Sequence, residues 1–368
     1  MKVLVSVFNN LYTDQRVEKV CRTLYENGYE VELIGNSWDG LPEMTRPYPF
    51  SRIILKSKNL KFAYPEFNFK LYHQLLKKAD DKTILLSNDL DTLLANYMIS
   101  KKLNIPLVFD SHEIFTEMPA LKGRFTQQIW RFLEKNILPE LKYIMTASES
   151  YADWFTKKYK IEKPILVQNF PVKNFDFETP VVENKPKIIL YQGVINPSRG
   201  LDKVIHAMRM IDNAELWIAG DGPKKKEYEA LTKNLGLDKK VIFLGKLIPE
   251  NLKKISVKAD VGLSIEENNG DSYYYSLPNK ISDYIQAKVP IVVSGFPEMR
   301  KIVETFQVGE IIDNHTEKEL SEKIGKVLSN GRNFYATQLK LASEKLCWEN
   351  EAPQILQLFK RVKTENFQ

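Results

Sequence analysis

Apolar β-rich runs alternate with helix-spaced apolar residues, and the alternation starts twice along the chain. This constrains the fold more than any single motif. The first series opens with KVLVSVF (2–8). From Thr13 to Asn27, Val17, Val20, Cys21, Leu24 and Tyr25 recur at helical spacing until Gly28 stops the pattern. EVELIG, TILLS, PLVFD, YIMTAS and PILVQ predict later strands, with helices near 66–79, 91–103, 123–138 and 149–159. Continuous apolar strands separated by helices imply a parallel sheet covered on both faces.

Near Val172 the rhythm breaks into VKNFDFETPVVENKP, which is acidic, proline-bearing and aperiodic, as interdomain linkers are. It restarts at KIILYQG (187–193) and continues through AELWIAG, KVIFLG, VGLSI, PIVVS and VGEII. Helices are expected near 201–210, 224–235, 249–258, 279–287 and 316–329. The 368 residues suit two such cores. The expected architecture is α/β, with two Rossmann-like, doubly wound parallel-sheet domains at 1–172 and 187–348 joined by a linker at 173–186. No strand follows Ala342 to Val362, so a helix over about 349–364 is expected to pack its apolar stripe back on the first domain.

Composition narrows the class. The charged fraction is 27%, and the formal charge of +6 suits anionic small molecules or an acidic membrane surface without marking a nucleic-acid binder. Cys21 and Cys347 are the only cysteines, too few for a disulfide framework or a thiolate zinc site, and a reducing cytosol is expected. MKVLVSVF is too short for a signal-peptide core, and no apolar run reaches the ~18 residues that span a bilayer. A cytoplasmic protein, at most peripheral to a membrane, is therefore expected.

In doubly wound sheets ligands sit beyond the carboxyl ends of the strands, so the loops there carry the chemistry. SLPNKISDYIQAKVPIVVS (276–294) offers Ser276 as an N-cap, Pro278 in a first helical turn, then Lys280 and Asp283 three residues apart. A helix N-terminus with a lysine attracts a diphosphate, and a carboxylate one turn along can accept from ribose hydroxyls. The plainer alternative is a surface Lys–Asp pair contributing only about 0.2–0.5 kcal/mol. YQGVINPSRGLDKVI (191–205) adds Gly193 for a tight turn and Arg199 before a helix, where a guanidinium can grip phosphate oxygens. IAGDGP (218–223), containing Gly220, occupies the equivalent place after the next strand.

With these residues in view, YQGVINPSRG, IAGDGP, VIFLGKL and SLPNKISDYIQAKVPIVVS together resemble the donor-binding domain of glycosyltransferase family 4, of GT-B fold. TDQRVEKVCRTLYENGYEVELIG, NDLDTLLA and LVFDSHEIFTEMP are similar to that family's acceptor-side domain, in the same order. The resemblance implies that Arg199 and Lys280 hold the donor diphosphate. Gly193, Gly220, Leu277, Pro278 and Asn279 would line the donor site, and Asp283 would bind ribose. It implies a catalytic His112 in an interdomain cleft, with Glu113, Glu117, Asn9 and Asn10 on the acceptor side. Judged from the residues alone, His112 is a loop histidine capping Glu113 or a backbone group. The activity implied is retaining transfer from a nucleotide-diphosphate sugar to a glycan or lipid-linked hydroxyl, without metal or cofactor.

The sequence departs from the family at several places. Tyr275 stands eight residues before Asp283, where the family has a glutamate, and Glu266, Glu267 or Tyr275 itself is left to take that glutamate's place. Val194 replaces an arginine, Arg199 a lysine and Lys288 a helix-ending glycine. Asp89 and Asp91 of NDLD are expected to cap a helix rather than bind metal. A nucleotide-sugar epimerase and a non-catalytic sugar-nucleotide-binding subunit remain as alternatives. A dinucleotide oxidoreductase does not, because NNLYTDQR after the first strand contains no GxGxxG. KSKNLKFAYPEFNFKLYHQLLKK (56–78) and GRFTQQIWRFLEKNIL (123–138) mix basic and aromatic residues. Phe125, Trp130, Phe132 and Leu133 are expected to pack on the first sheet, with membrane contact as the alternative.

Overall fold

A computed structural model describes residues 1–12, 14–37, 43–173 and 186–367. Thr13, the expected helix start, and nearly all of the expected linker lie outside the described residues. The chain divides into two units, Met1–Asn169 with Glu351–Gln368, and Phe170–Asn350.

The first unit runs β1 (Lys2–Ser6), α1 (Gln15–Glu26), β2 (Glu30–Ser37), β3 (Phe50–Ile54), α2 (Leu60–Lys78), β4 (Thr83–Asn88), α3 (Leu90–Leu103), β5 (Leu107–Ser111), α4 (Phe125–Ile137), β6 (Tyr143–Thr146), α5 (Glu149–Tyr159) and β7 (Ile165–Leu166). Its seven strands are parallel, in the order β3-β2-β1-β4-β5-β6-β7. β4 and β5 are buried along their whole length, as continuous apolar runs require. Edge strand β3 escapes the sequence pattern because only Ile53 is buried in it. α2 starts six residues before its expected start. Pro65 reads as a breaker, but Asn59 caps the helix by accepting from the Lys61 amide, and Ala63, Phe67, Leu71 and Leu75 form a buried stripe through the proline.

In the second unit the order is β8 (Lys187–Gln192), α6 (Leu201–Ala207), β9 (Ala214–Ala219), α7 (Lys225–Asn234), β10 (Val241–Gly245), α8 (Pro249–Ser256), β11 (Val261–Ser264), α9 (Asp271–Tyr274), α10 (Asn279–Gln286), β12 (Ile291–Ser294), α11 (Pro297–Phe306), β13 (Gly309–Ile312), α12 (Glu317–Phe334) and α13 (Ala336–Lys345). Six parallel strands pair as β10-β9-β8-β11-β12-β13. The strand order reverses between β1 and β4 in one unit and between β8 and β11 in the other, which are the crevices where doubly wound folds bind ligands.

The closing segment forms α14 (Trp348–Asn366), separate from α13. From Glu351 onward it belongs to the first unit. Ile355, Leu358, Phe359 and Val362 are buried, the Phe359 ring meets Tyr29 at 5.7 Å, and the Gln168 amide donates to Glu351 at 2.7 Å.

α4 overturns one expectation. It buries Gln127, Glu134 and Ile137, while Phe125 and Phe132 point into solvent and Trp130 and Leu133 are half-buried. The inward polar groups hold the turn after β5: Gln127 donates to the Thr116 carbonyl at 2.7 Å, and Glu134 accepts from the Thr116 hydroxyl at 2.9 Å and from the Tyr159 hydroxyl.

One ion pair anchors the first unit. Arg16 of α1 donates through Nη2 and Nε to the two carboxylate oxygens of Asp110, at 2.6 and 3.0 Å, and through Nη1 to the Val167 carbonyl at 2.5 Å. Both residues are buried, so removing one charge strands the other in a dry site. Arg16→Leu should cost about 3–5 kcal/mol in chemical denaturation, and adding Asp110→Leu should recover most of it. A loss no larger than a surface substitution gives would contradict that role.

Candidate functional site

The second unit gathers charge at the carboxyl ends of β8 and β11. Arg199, from the loop after β8, and Lys280, in the first turn of α10, both donate to Oε1 of Glu266, at 3.2 and 2.8 Å. Glu266 lies two residues beyond β11 and is fully buried. Ser264 donates to its Oε2 at 2.7 Å, and Ser294 to its carbonyl at 2.6 Å. Two aromatic faces complete the setting, with Lys280 Nζ 4.4 Å from the Tyr191 ring and Arg199 Cζ 4.8 Å from that of Tyr273.

The electrostatics follow from burial. Desolvation raises the Glu266 carboxyl, but Lys280 and Arg199 outweigh it and hold the group below the usual carboxylate range. Desolvation is also the largest influence on Lys280 and leaves its ammonium below the ordinary lysine value despite Glu266. For Arg199, burial is the largest single influence and pulls down, but Glu266, Tyr273 and Tyr191 together outweigh it and raise the group. Two cations and one carboxylate leave the cluster a net positive charge in low dielectric, where it acts strongly on an incoming anion.

Glycines give the backbone its close approaches. Gly193 has φ +131, and a Cβ there would lie 3.7 Å from Lys280 Cε. A Cβ on Gly220 would sit 1.9 Å from the Gly193 carbonyl oxygen, so any side chain at 220 forces the two loops apart. Asp283 accepts from Gln192 Nε2 at 3.0 Å, and Gln192 in turn accepts from the Ser256 hydroxyl at 2.8 Å. Leu277 is half-buried against the core, Pro278 precedes α10 and Asn279 is exposed at its first residue. Ser276 is not the N-cap: Pro278 takes that position, and the Ser276 hydroxyl donates to the Tyr273 carbonyl at 2.8 Å. Lys288 adopts φ +57, the backbone a family glycine would supply. Among the proposed substitutes for the missing glutamate, Glu266 belongs to the cluster, whereas Glu267 pairs with Lys203 at 2.5 Å.

The first unit gathers a second cluster at the carboxyl ends of β4 and β5. His112 Nδ1 lies 3.2 Å from Asp89, and Nε2 lies 3.3 Å from Asp110 and 3.2 Å from the Asn88 side-chain oxygen. His112 therefore faces carboxylates rather than capping Glu113. Burial lowers the imidazole, yet Asp89 and Asp110 together outweigh it and raise the group to about 9. Asp110 shows the converse balance: burial raises it, but Arg16 and His112 bring it to about 2. Glu113 is pushed up to about 8, first by burial and then by Asp89. Asp91 is raised well above its ordinary value by burial and by Asp89 and Glu113.

Asp89 stands at the start of α3, but its side chain caps no helix amide. With φ +57 it turns to accept from the His112 amide at 2.8 Å. The other acceptor-side candidates are engaged locally. Asn9 accepts from the Leu11 amide and donates to Asp14, Asn10 accepts from the Tyr12 amide, and Glu117 pairs with Arg131 at 3.0 Å and Lys158 at 3.3 Å. The sequence passed over Arg16, Asn88 and Asp110. An acid ending the wholly apolar run PLVFD was the available signal, because a buried carboxylate needs a cation.

Comparison with known proteins identifies the family of each unit. Residues 14–169 match the family described as Glycosyltransferase Family 4, and residues 172–344 match Glycosyl transferases group 1. An uncharacterized glycosyltransferase of Methanocaldococcus jannaschii is 28% identical over 185 residues, 49% of this chain and 46% of that protein. The alpha-monoglucosyldiacylglycerol synthase of Streptococcus pneumoniae is 21% identical over 276 residues, 69% of this chain and 60% of that protein. The matches thus span about half of these relatives' lengths. The crystal structure of HepE from Anabaena in complex with UDP superposes with a TM-score of 0.75 at 13% identity, covering 98% of this chain and all of that one. With both units matched in turn, the chain belongs to the group 1 glycosyltransferases of GT-B fold, with a family 4 first unit.

Proposed function

We propose that the chain is a retaining, metal-independent glycosyltransferase. It would move a sugar from a nucleotide-diphosphate sugar to a hydroxyl of a glycan or lipid-linked acceptor, in surface polysaccharide or glycolipid synthesis. The observation that carries this is the convergence of Arg199 and Lys280 on one buried carboxylate at the β8/β11 crevice. The bond from the anomeric carbon to the phosphate oxygen breaks, and the nucleoside diphosphate leaves with new negative charge. Arg199 and Lys280 stabilise that charge, the role a divalent ion would otherwise fill. The acceptor oxygen bonds to the same face of the anomeric carbon, and its proton passes to the departing phosphate.

Asp283 binds the ribose, and Gly193 and Gly220 let the pyrophosphate approach the backbone. His112 supplies a fixed positive charge in the first unit. Its Nε2 is held by the Asn88 side-chain oxygen at 3.2 Å and by Asp110 at 3.3 Å, and its Nδ1 by Asp89 at 3.2 Å, so the ring is fixed in place as a charge. The UDP in the HepE complex and the glucolipid product named for the Streptococcus relative support a nucleotide donor and a lipid-linked acceptor. Peripheral attachment at the cytoplasmic face of a membrane belongs with that acceptor.

A thermal-shift panel of nucleoside diphosphates and their sugars tests the donor site. The right donor at ~100 Kd should add about 2.7 kcal/mol of stability, with or without EDTA. Arg199→Ala should abolish the shift and lower kcat/KM by about 10²–10³. An unaltered shift in that variant would refute the phosphate role.

His112 gives a second test. Its folded value of about 9 lies above the ordinary imidazole value near 6.5, so its stabilisation is complete below ~6.5 and fades as pH rises through 9. The gap in unfolding free energy between wild type and His112→Asn should therefore be a few kcal/mol near pH 6 and vanish by about pH 10. A gap constant with pH would show that the folded imidazole titrates at its ordinary value, unaffected by Asp89 and Asp110.

A further inference from the structure

α4 is built the wrong way round for a helix whose only duty is packing. Phe125, Ile129 and Phe132 lie on one face at spacings of four and three residues, and they are 80, 48 and 68% exposed. The opposite face buries Gln127 and Glu134. A large apolar stripe in water is unfavourable unless something covers it.

The charges around the stripe say what covers it. Lys122, Arg124 and Lys135 are exposed beside it and make no ion pair among the described residues. The one acid of the helix, Glu134, is turned inward to Thr116 and Tyr159. The outward face is therefore aromatic and basic with no carboxylate of its own. α2 adjoins it, since the Tyr64 and Trp130 rings meet at 5.2 Å, and α2 exposes Phe62 and Phe69.

We infer that the outward face of α4 docks on an anionic lipid bilayer, with Phe125, Ile129 and Phe132 inserted at the level of the headgroups and Lys122, Arg124 and Lys135 against lipid phosphates. A bilayer satisfies the apolar and the cationic halves of this face together, and a helix lying in the interface needs no spanning length. No helix among the described residues is long and apolar enough to cross a membrane. The inference rests on the peripheral placement proposed above, but not on the transfer chemistry.

Co-sedimentation of the full chain with vesicles of phosphatidylcholine, with and without phosphatidylglycerol, tests it. The wild type should bind the anionic vesicles at least about tenfold more strongly than the neutral ones and lose that preference in high salt. The double variant Phe125→Ser, Phe132→Ser should lose about tenfold or more on anionic vesicles. Lys122→Gln, Arg124→Gln and Lys135→Gln together should remove the anionic preference alone. Both variants should keep the wild-type melting temperature and its nucleotide-induced rise, since they lie outside the donor cluster. Equal binding by wild type and variants would overturn the docking face while leaving peripheral attachment standing, and no binding by the wild type would overturn both. A wild-type dimer that the serine variant converts to monomer would assign the stripe to a second copy of the chain and overturn the inference.

Discussion

Two like charges held on one buried carboxylate are the interaction on which the functional account depends. Arg199 and Lys280 repel each other, and both lose hydration in the crevice. Glu266 makes the arrangement stable by accepting from both at one oxygen, while Ser264 holds its other oxygen. Burial of the carboxylate fixes the two cations in place before any ligand arrives. Such preorganisation makes electrostatic stabilisation of a leaving group effective, because the protein does not have to reorganise as charge develops. A single surplus positive charge remains, suited to an anion that arrives carrying more than one negative charge.

The fold supplies this geometry through connectivity. All strands in each sheet run parallel, so every loop that follows a strand opens at the same end. The reversal of strand order between β8 and β11 parts two such loops, and Arg199 and Glu266 reach the crevice from opposite sides of it. In the first unit the loops after the neighbouring strands β4 and β5 deliver Asp89 and His112. There the charge balance is reversed: carboxylates surround one imidazole and one guanidinium. The two clusters thus differ in net charge, one cationic and one rich in carboxylates.

Much of this was legible in the sequence, because apolar runs and helical spacing report burial, and burial determines a parallel doubly wound sheet. Arg199 was legible because it stands beside a glycine in the loop after a strand, and Lys280 because it stands at a helix start. Glu266 was named only as a substitute for a missing glutamate. That it bridges two cations depends on loops 67 and 14 residues apart meeting in space, which no local spacing records. Arg16 with Asp110 was hidden for the same reason, across 94 residues. Ser276 was misassigned because a serine before an apolar run resembles a cap, whereas Pro278 already fixes the extended backbone that the helix start needs. α4 misled because hydrophobic periodicity gives the direction of an apolar face but not whether protein or something else will cover it.

Direct calorimetric titration comparing a nucleoside diphosphate with its parent nucleoside isolates the central claim, because the two ligands differ only in the pyrophosphate. For the base that binds best, the diphosphate should bind at least about a hundredfold more tightly, equivalent to roughly 2.7 kcal/mol. Equal affinities would mean that the base and ribose alone are recognised and that the paired cations of the second unit do not hold a pyrophosphate.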